Sequence, residues 1–250
     1  MLSIDLPAQI PVVLNAARVG HVLVLKDVSL NGTGPFKMMI DTGNSSSLIR
    51  PETARRLGVR PEYAVEQVTA AGVRRLPVAV IDRVTTGDLT ERAVEAMIGD
   101  VRLEGVDGVL GQSWLARHDY LLDHRHHRVV IDGAPPEGGL TLPLHVADGR
   151  PLLYAKVDGR ALELVLDSGA PVVVLFQCAG AASQQATLLV NGASVGAGET
   201  SARIALPTDR ERHMPAMRVG SFVPTPGLLP ASSFSEVFVS NRDGFVRLRR

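Results

Sequence analysis

At 250 residues the chain is long enough for one large domain or for two lobes that each bury a core. Its 26 basic and 26 acidic residues cancel, which argues against a nucleic-acid footprint or a membrane-adsorbing face and leaves peptides or proteins as partners. The single cysteine, Cys178, excludes an internal disulfide and reads as a small buried hydrophobe, and no apolar run reaches the length of a membrane span, so a soluble chain is expected.

The N-terminus carries Asp5 and Pro7 and no basic residue before Arg18, which does not read as a secretory signal. A cytoplasmic protein and a mature periplasmic or secreted fragment both fit. Val22 to Leu30, the turn cluster Asn31 to Pro35, and an apolar strand from Phe36 give a hairpin that runs into Asp41-Thr42-Gly43. Gly32-Thr33-Gly34 precedes a strand and lacks the lysine of a phosphate loop, so it reads as turn. Ser47 to Ile49 is read as a continuation of the turn after the motif. Pro51 to Gly58 predicts a short helix, with proline in its first turn and glycine after its end. Ala64 to Ile81 predicts a hairpin with Thr69-Ala70-Ala71-Gly72 at its tip. Gly108-Val109-Leu110-Gly111 then leads into Gln112 to Leu115, and Tyr120 to Ile131 forms a closing hairpin.

His118, His124, His126 and His127, with Asp119 and Asp123, are residue types that bind zinc. The matching turn in the second half holds Asn241, Asp243 and Gly244, so a solvated hairpin tip is expected here and no metal is assigned. Gly133 to Gly139 is the clearest linker signal, and it places a boundary near residue 138, giving units 1–138 and 139–250.

The second half repeats the first. Leu152 to Val157, the turn Asp158-Gly159 and the strand from Ala161 deliver Asp167-Ser168-Gly169, and 167 − 41 gives an offset of 126. At that same offset, Val195-Gly196-Ala197-Gly198 faces the first hairpin tip, and Ile204-Ala205-Leu206 faces Val78-Ala79-Val80. Gly227 to Phe234 matches Gly108 to Leu115 with Pro230 in place of Gly111, and Val237 to Leu248 matches the closing hairpin. Pro230 removes a backbone donor and fixes φ, and Pro171 directly follows Asp-Ser-Gly-Ala, so the second copy departs from the first on one side.

An Asp-Thr/Ser-Gly turn at the end of a buried strand exposes a carboxylate while glycine lets the chain turn away. A hydroxyl at the middle position is able to bond the backbone of a facing copy and leave two carboxylates side by side. Such a pair cannot ionise twice at close range, so it holds one proton and offers one acid and one base to the same water.

The two motifs with their apolar flanks resemble the catalytic loops of aspartic proteases of the pepsin-like and retropepsin-like families, the standard case of a shared proton between carboxyls. The resemblance implies a mostly β fold of two similar retropepsin-like barrel lobes with a cleft between them, and an aspartic endopeptidase acting on peptide or protein substrates without a cofactor. It implies that Asp41 and Asp167 form the catalytic dyad, that Thr42, Gly43, Ser168 and Gly169 support its loops, and that Ala71 and Gly72 sit on a mobile flap over the substrate. Because one chain supplies both aspartates, a monomer is implied. A pseudoprotease of the same fold, binding peptides without cutting them, stays open beside it.

Overall fold

The computed structural model describes residues 10–101, 103–176, 184–190, 193–220, 223 and 225–250. Cys178 lies outside these residues. The chain is mostly β. β1 (Val12–Val19), β2 (Val22–Leu30) and β3 (Thr33–Ile40) run into the first motif; β4 (Ser47–Ile49), helix α1 (Pro51–Leu57), β5 (Tyr63–Thr69), β6 (Gly72–Thr86) and β7 (Leu89–Ile98) follow. β8 (Gly108–Leu110), α2 (Gln112–Leu115), β9 (Tyr120–Asp123) and β10 (Arg128–Ile131) complete the first half. The second half contains β11 (Leu140–Pro143), β12 (His145–Ala147), β13 (Arg150–Val157), β14 (Arg160–Asp167), β15 (Val173–Phe176), β16 (Gln184–Val190), β17 (Ala193–Ala205) and β18 (Arg212–Val219). It ends with β19 (Gly227–Pro230), a 3-10 turn at Ala231–Ser233, β20 (Glu236–Ser240) and β21 (Phe245–Arg249).

Strand order displays the duplication directly. In the first half the sheet runs β2-β3-β8-β4-β7-β6-β5 with an extra β2–β6 pairing; in the second it runs β13-β14-β19-β15-β18-β17-β16 with an extra β13–β17 pairing. Each copy is thus the same folded-over sheet. A third layer joins them, in the order β11-β21-β20-β9-β10-β1. Its central pair, β9 with β20, sets Glu236 opposite Asp123 and Val239 opposite Tyr120. Leu122, Tyr120, Val237, Phe238 and Val239 are all buried there. Each such side chain contributes about 1.5–3 kcal/mol by leaving water, against about 0–1 kcal/mol for a partly exposed ion pair such as Arg249–Glu236, so apolar packing joins the halves.

The first strand of each copy serves two layers. In β1, Val12 to Asn15 pair with β10 and Ala16 to Val19 pair with β2. In the second half that role is divided, since β11 pairs with β21 and β12 with β13. Leu144, between β11 and β12, donates its N–H to the Gly244 carbonyl instead.

Several local expectations hold. α1 covers the anticipated segment, and Gly58 closes it in the left-handed region with its N–H on the Ala54 and Arg55 carbonyls. The hairpins β2–β3, β5–β6, β13–β14, β9–β10 and β20–β21 form where turn residues predicted them. Ser47 to Ile49 is a strand and not a turn. Its three residues are buried between β7, to which they run parallel, and β8, to which they run antiparallel, so sheet pairing on both edges overrides the local turn signal.

The second hairpin tip is also misplaced by the fixed offset. Gln185 pairs with Gly198 and Thr187 with Gly196, so Val195 to Gly198 lie within β17, and the chain reverses between Val190 and Ala193, where the sequence reads Asn-Gly. The offset has changed by then. Leu30 pairs with Val84 and Val157 with Ile204, so these partners are 204 − 84 = 120 residues apart, six fewer than at the aspartates. Fewer residues separate the motif from the hairpin in the second copy, and a constant spacing cannot follow a deletion.

The histidine-bearing turn is only partly solvated. Asp123, His118 and His124 are buried, while His126 and His127 are exposed. Burial pushes the Asp123 carboxyl up, but the His126 N–H and side chain and the Arg128 guanidinium donate to it and hold it below the usual range.

Candidate active site

Both aspartates stand at the ends of central strands. Phe36, Met38 and Ile40 of β3 alternate inward to the core, and the strand is held in parallel register by β8, with Ile40 opposite Leu110 and the Asp41 N–H on the Leu110 carbonyl at 3.1 Å. β14 repeats this against β19, where Val165 faces Leu228 and Asp167 faces Pro230. Each strand therefore ends at a fixed height, and the chain turns at Asp-Thr/Ser-Gly.

Two kinds of hydrogen bond then fix the loops. Within each loop, the Gly43 N–H donates to Asp41 Oδ1 at 2.9 Å, and the N–H groups of Gly169 and Ala170 donate to Asp167 Oδ1 at 2.7 and 3.1 Å. Between loops, the bonds are reciprocal. The Thr42 N–H donates to Ser168 Oγ at 3.0 Å, and the Ser168 N–H donates to Thr42 Oγ1 at 3.0 Å. Each hydroxyl passes its own proton onward, Thr42 to the Leu166 carbonyl at 2.6 Å and Ser168 to the Ile40 carbonyl at 2.9 Å. Both hydroxyls are buried, so every donor and acceptor in this crossing is satisfied within the protein.

That crossing presses each glycine against the opposite carboxyl. A Cβ on Gly43 would collide with the Asp167 carboxylate, and a Cβ on Gly169 would lie 2.8 Å from Asp41 Oδ2. Only glycine fits at either place, and the two carboxyl groups lie close enough to act on one another's ionisation. Burial, and then the neighbouring Asp167 charge, push Asp41 well above the ordinary aspartate range. Burial also raises Asp167, against the pull of the Gly169 N–H, the bond from Asp41, the Ala170 N–H and the Arg150 charge.

Three residues that sequence reasoning missed support this arrangement. The Gln112 side chain donates to the Thr42 carbonyl at 2.8 Å, while its N–H donates to the Asn44 carbonyl at 2.9 Å. His21, in the β1–β2 turn, reaches the other loop, and its Nε2–H donates to the Gly169 carbonyl at 2.8 Å. Arg150 opens β13 beside Asp167. Gln112 carried one sequence signal, since it is the polar residue inside an apolar block whose second copy holds Ala231 at that place.

The second copy's prolines are accommodated. In the first loop the Gly111 N–H donates to Ser47 Oγ at 3.2 Å. In the second, Pro230 has no N–H and the residue 126 positions after Ser47 is Val173, so donor and acceptor are lost together. Pro171 lies exposed beyond the loop.

The β5–β6 hairpin closes with Thr69 paired to Gly72 and Ala70-Ala71 at the tip. Thr69 Oγ1 accepts from the Ala71 N–H at 3.2 Å and donates to the Gly72 carbonyl at 3.1 Å, and Gly72 takes a φ of +116° that side chains disfavour. Ala70 packs against the apolar cluster of the second half that contains Val174, Phe176 and Val219. The hairpin of one copy therefore reaches across to the other.

Asp123, His126 and Glu236 bring ligand-type atoms within 4.8 Å of one another. Their charge is already balanced, because Arg128 Nε lies 2.7 Å from Asp123 Oδ2 and Arg249 lies 2.6 Å from Glu236 Oε2. This is an ion network at the joint between halves.

Residues 26–114 match the family described as Aspartyl protease, a stretch that contains Asp41-Thr42-Gly43 and the β5–β6 hairpin. Among solved structures, an aspartic proteinase from Irpex lacteus matches 96% of this chain and 97% of its own at 11% identity, with a TM-score of 0.64. Basic 7S globulin from soybean matches over 96% of this chain and 94% of its own, at 11% identity and a TM-score of 0.54. A retropepsin-like aspartic protease from Rickettsia conorii is 21% identical over 48% of this chain and 89% of its own, with a TM-score of 0.39. No curated protein matches the sequence. The near full-length match to the Irpex structure gives this chain the two-lobed, pepsin-like acid-protease fold. The first lobe carries the sequence signature of aspartyl proteases as well.

The loop crossing makes a stability prediction. Thr42→Val and Ser168→Ala each strand a buried N–H and a carbonyl, so each should lower unfolding stability by about 1–3 kcal/mol in urea titrations. Because both hydroxyls hold the same two loops together, the double variant should lose less than the sum. Additive losses, or losses within measurement error, would show that the hydroxyls do not clamp the loops.

Proposed function

We propose that the chain is an aspartic endopeptidase in which Asp41 and Asp167 are the catalytic pair. The observation that carries this reading is the placement of two carboxyls, each against the other's loop glycine, in a setting that holds a proton on the pair. The ionised member takes a proton from a water held between them, and that water attacks the scissile carbonyl carbon. The protonated member donates to the carbonyl oxygen, giving a tetrahedral diol. Proton transfer to the amide nitrogen then releases the new amine. The dyad and a water supply every proton, so the reaction as written uses no cofactor.

In this reading Thr42 and Ser168 brace the loops, Gly43 and Gly169 admit the opposite carboxyl, and the hairpin bearing Ala71 and Gly72 is the flap over a bound peptide. Support for the flap comes from Ala70, whose contact with the second-lobe apolar cluster spans the cleft. We take residues 1–138 and 139–250 as the two lobes; the support is that β11 repeats the first half of β1. A monomer would suffice for activity, since both aspartates come from one chain. No helix among the described residues is long and apolar enough to cross a membrane.

Asp41→Asn and Asp167→Asn test the pair. Both single variants should lose nearly all cleavage of an unfolded protein, and the double variant should lose scarcely more. Folding should survive. A carboxyl whose folded pKa is raised destabilises the fold above its unfolded value near ~3.9, because the unfolded chain ionises where the folded one keeps its proton. Below that pH the penalty vanishes. The Asp41→Asn melting temperature should therefore equal or exceed the parent's at pH 7 and match it near pH 3. Full activity in Asp167→Asn would reduce the second motif to a turn.

Gly72→Val addresses the flap. With φ at +116°, a β-branched side chain strains the tip, so kcat/KM should fall by about tenfold or more while the melting temperature changes by only a few degrees. Unchanged kcat/KM would remove the hairpin from the reaction.

A further inference from the structure

Pseudo-symmetry places each aspartate in matching surroundings, and one pair of matched positions breaks the match. In the β2–β3 ladder Val24 pairs with Met39, so two further steps, 24 − 2 and 39 + 2, set Val22 across from Asp41. In the β13–β14 ladder Leu152 pairs with Val165, and the same two steps set Arg150 across from Asp167. The hairpins confirm the equivalence, since Val22 closes the β1–β2 turn opposite Val19 and Arg150 closes the β12–β13 turn opposite Ala147. One aspartate thus faces a buried valine of the first-lobe apolar cluster and the other faces a guanidinium.

We propose that Arg150 is a positioning residue that keeps the shared proton on Asp41 and leaves Asp167 as the carboxylate that takes the proton from water. This rests on the aspartic-protease reading above. The Arg150 side chain is 18% exposed, and only one end is neutralised, by an Asp148 carboxylate at 3.2 Å that is itself 68% exposed. Its Nε is buried without a hydrogen-bond partner, so an inward-facing edge of the cation remains uncompensated beside the dyad. A cation there favours the charged form of the nearer carboxylate.

The Gly169 and Ala170 N–H groups also favour the ionised form of Asp167, but Asp41 takes matching bonds from Gly43 and Asn44, so these do not set the two carboxyls apart. From the first loop comes Asp41 itself, whose bond to Asp167 is internal to the pair. His21 spends its Nε2–H on the Gly169 carbonyl, and from β19 the facing residue is Pro230, which is uncharged. Among the charges that bear on the two carboxyls, Arg150 acts on Asp167 and opposes the effect of burial there. Asp41 faces Val22 and not a cation; burial first, and then the Asp167 charge, favour its protonated form over the pull of the Gly43 and Asn44 N–H groups.

The test compares Arg150→Leu, Arg150→Gln and Arg150→Lys in the full chain, with two readouts. One is the pH dependence of kcat/KM. The other is a carbon NMR titration of protein labelled at the aspartate carboxyl carbons, which follows the dyad whether or not peptide is cut. Both neutral variants should move the acid limb, and the lower apparent titration of the pair, upward by about one pH unit, while Lys should stay near the parent. Gln keeps a polar stem and serves where Leu does not fold. If the neutral variants leave the acid limb in place, or Lys moves it as far as they do, Arg150 acts only by packing and the proposal is overturned. If the parent cleaves nothing yet its pair titrates as coupled and shifts with Arg150, the electrostatic assignment stands and the protease reading alone falls. Two independent, ordinary aspartate titrations in the parent would overturn both.

Discussion

Everything at the centre of this molecule depends on four hydrogen bonds made by two small hydroxyls. Thr42 and Ser168 each accept the other's backbone N–H and each donate to a carbonyl one residue before the opposite aspartate. The geometry closes only if two strands from different halves of the chain end at the same height. It also closes only if the residue after each hydroxyl is glycine, since any Cβ would strike the facing carboxyl. Two carboxyl groups that cannot both ionise are therefore held side by side, an arrangement that costs stability and that ordinary packing would relax. Here the apolar joint of β9 with β20 and the parallel registers of β3–β8 and β14–β19 hold it in place. Such cost located at one point of an otherwise consistent fold is the physical ground on which we propose this as the functional site.

Duplication explains the scaffold, and departures from it explain the chemistry. The strand orders of the two lobes coincide down to the extra pairing of the second strand with the sixth. Yet the loops are supported differently. The first is stitched from behind by Gln112 and by Ser47 with Gly111, while the second has Ala231, Val173 and Pro230 at the corresponding places. The loss at Pro230 and Val173 is paired, so no buried donor is abandoned by its acceptor there. The replacement of Val22 by Arg150 is of another kind, because it adds a charge where the first lobe has only apolar contact. In the proposed mechanism the dyad needs some asymmetry to become one acid and one base, and we assign it to this position.

Much of this was legible in the sequence because the informative features are local. The paired motifs, the Asp158-Gly159 turn, the Pro51 to Gly58 helix and the closing hairpins all announce themselves within a dozen residues. Whatever needs distance was not legible. Ser47 to Ile49 is too short to read as a strand until β7 and β8 are known to flank it. The second hairpin tip was lost because a spacing of 126 was carried past a deletion, although Asn191-Gly192 is itself a strong turn signal. His21 and Arg150 sit beside hairpin turns, where a charged residue is unremarkable; it takes the closure of the two halves to bring His21 to the Gly169 carbonyl, and the β13–β14 register to bring Arg150 toward Asp167. The buried side of the His118 to Arg128 turn was equally hidden, since Ser235, Glu236, Asn241 and Arg242, from the far end of the chain, meet it there.

The claim that Asp41 and Asp167 act as one proton-sharing unit on peptide bonds is tested most directly by the parent protein itself. The measurement is cleavage of casein across pH, with and without pepstatin. The account predicts a bell-shaped profile, with both limbs belonging to the pair, and complete loss of cleavage when pepstatin occupies the cleft. Cleavage that is indifferent to pepstatin, or no cleavage at any pH by a protein that still binds it, would contradict the account.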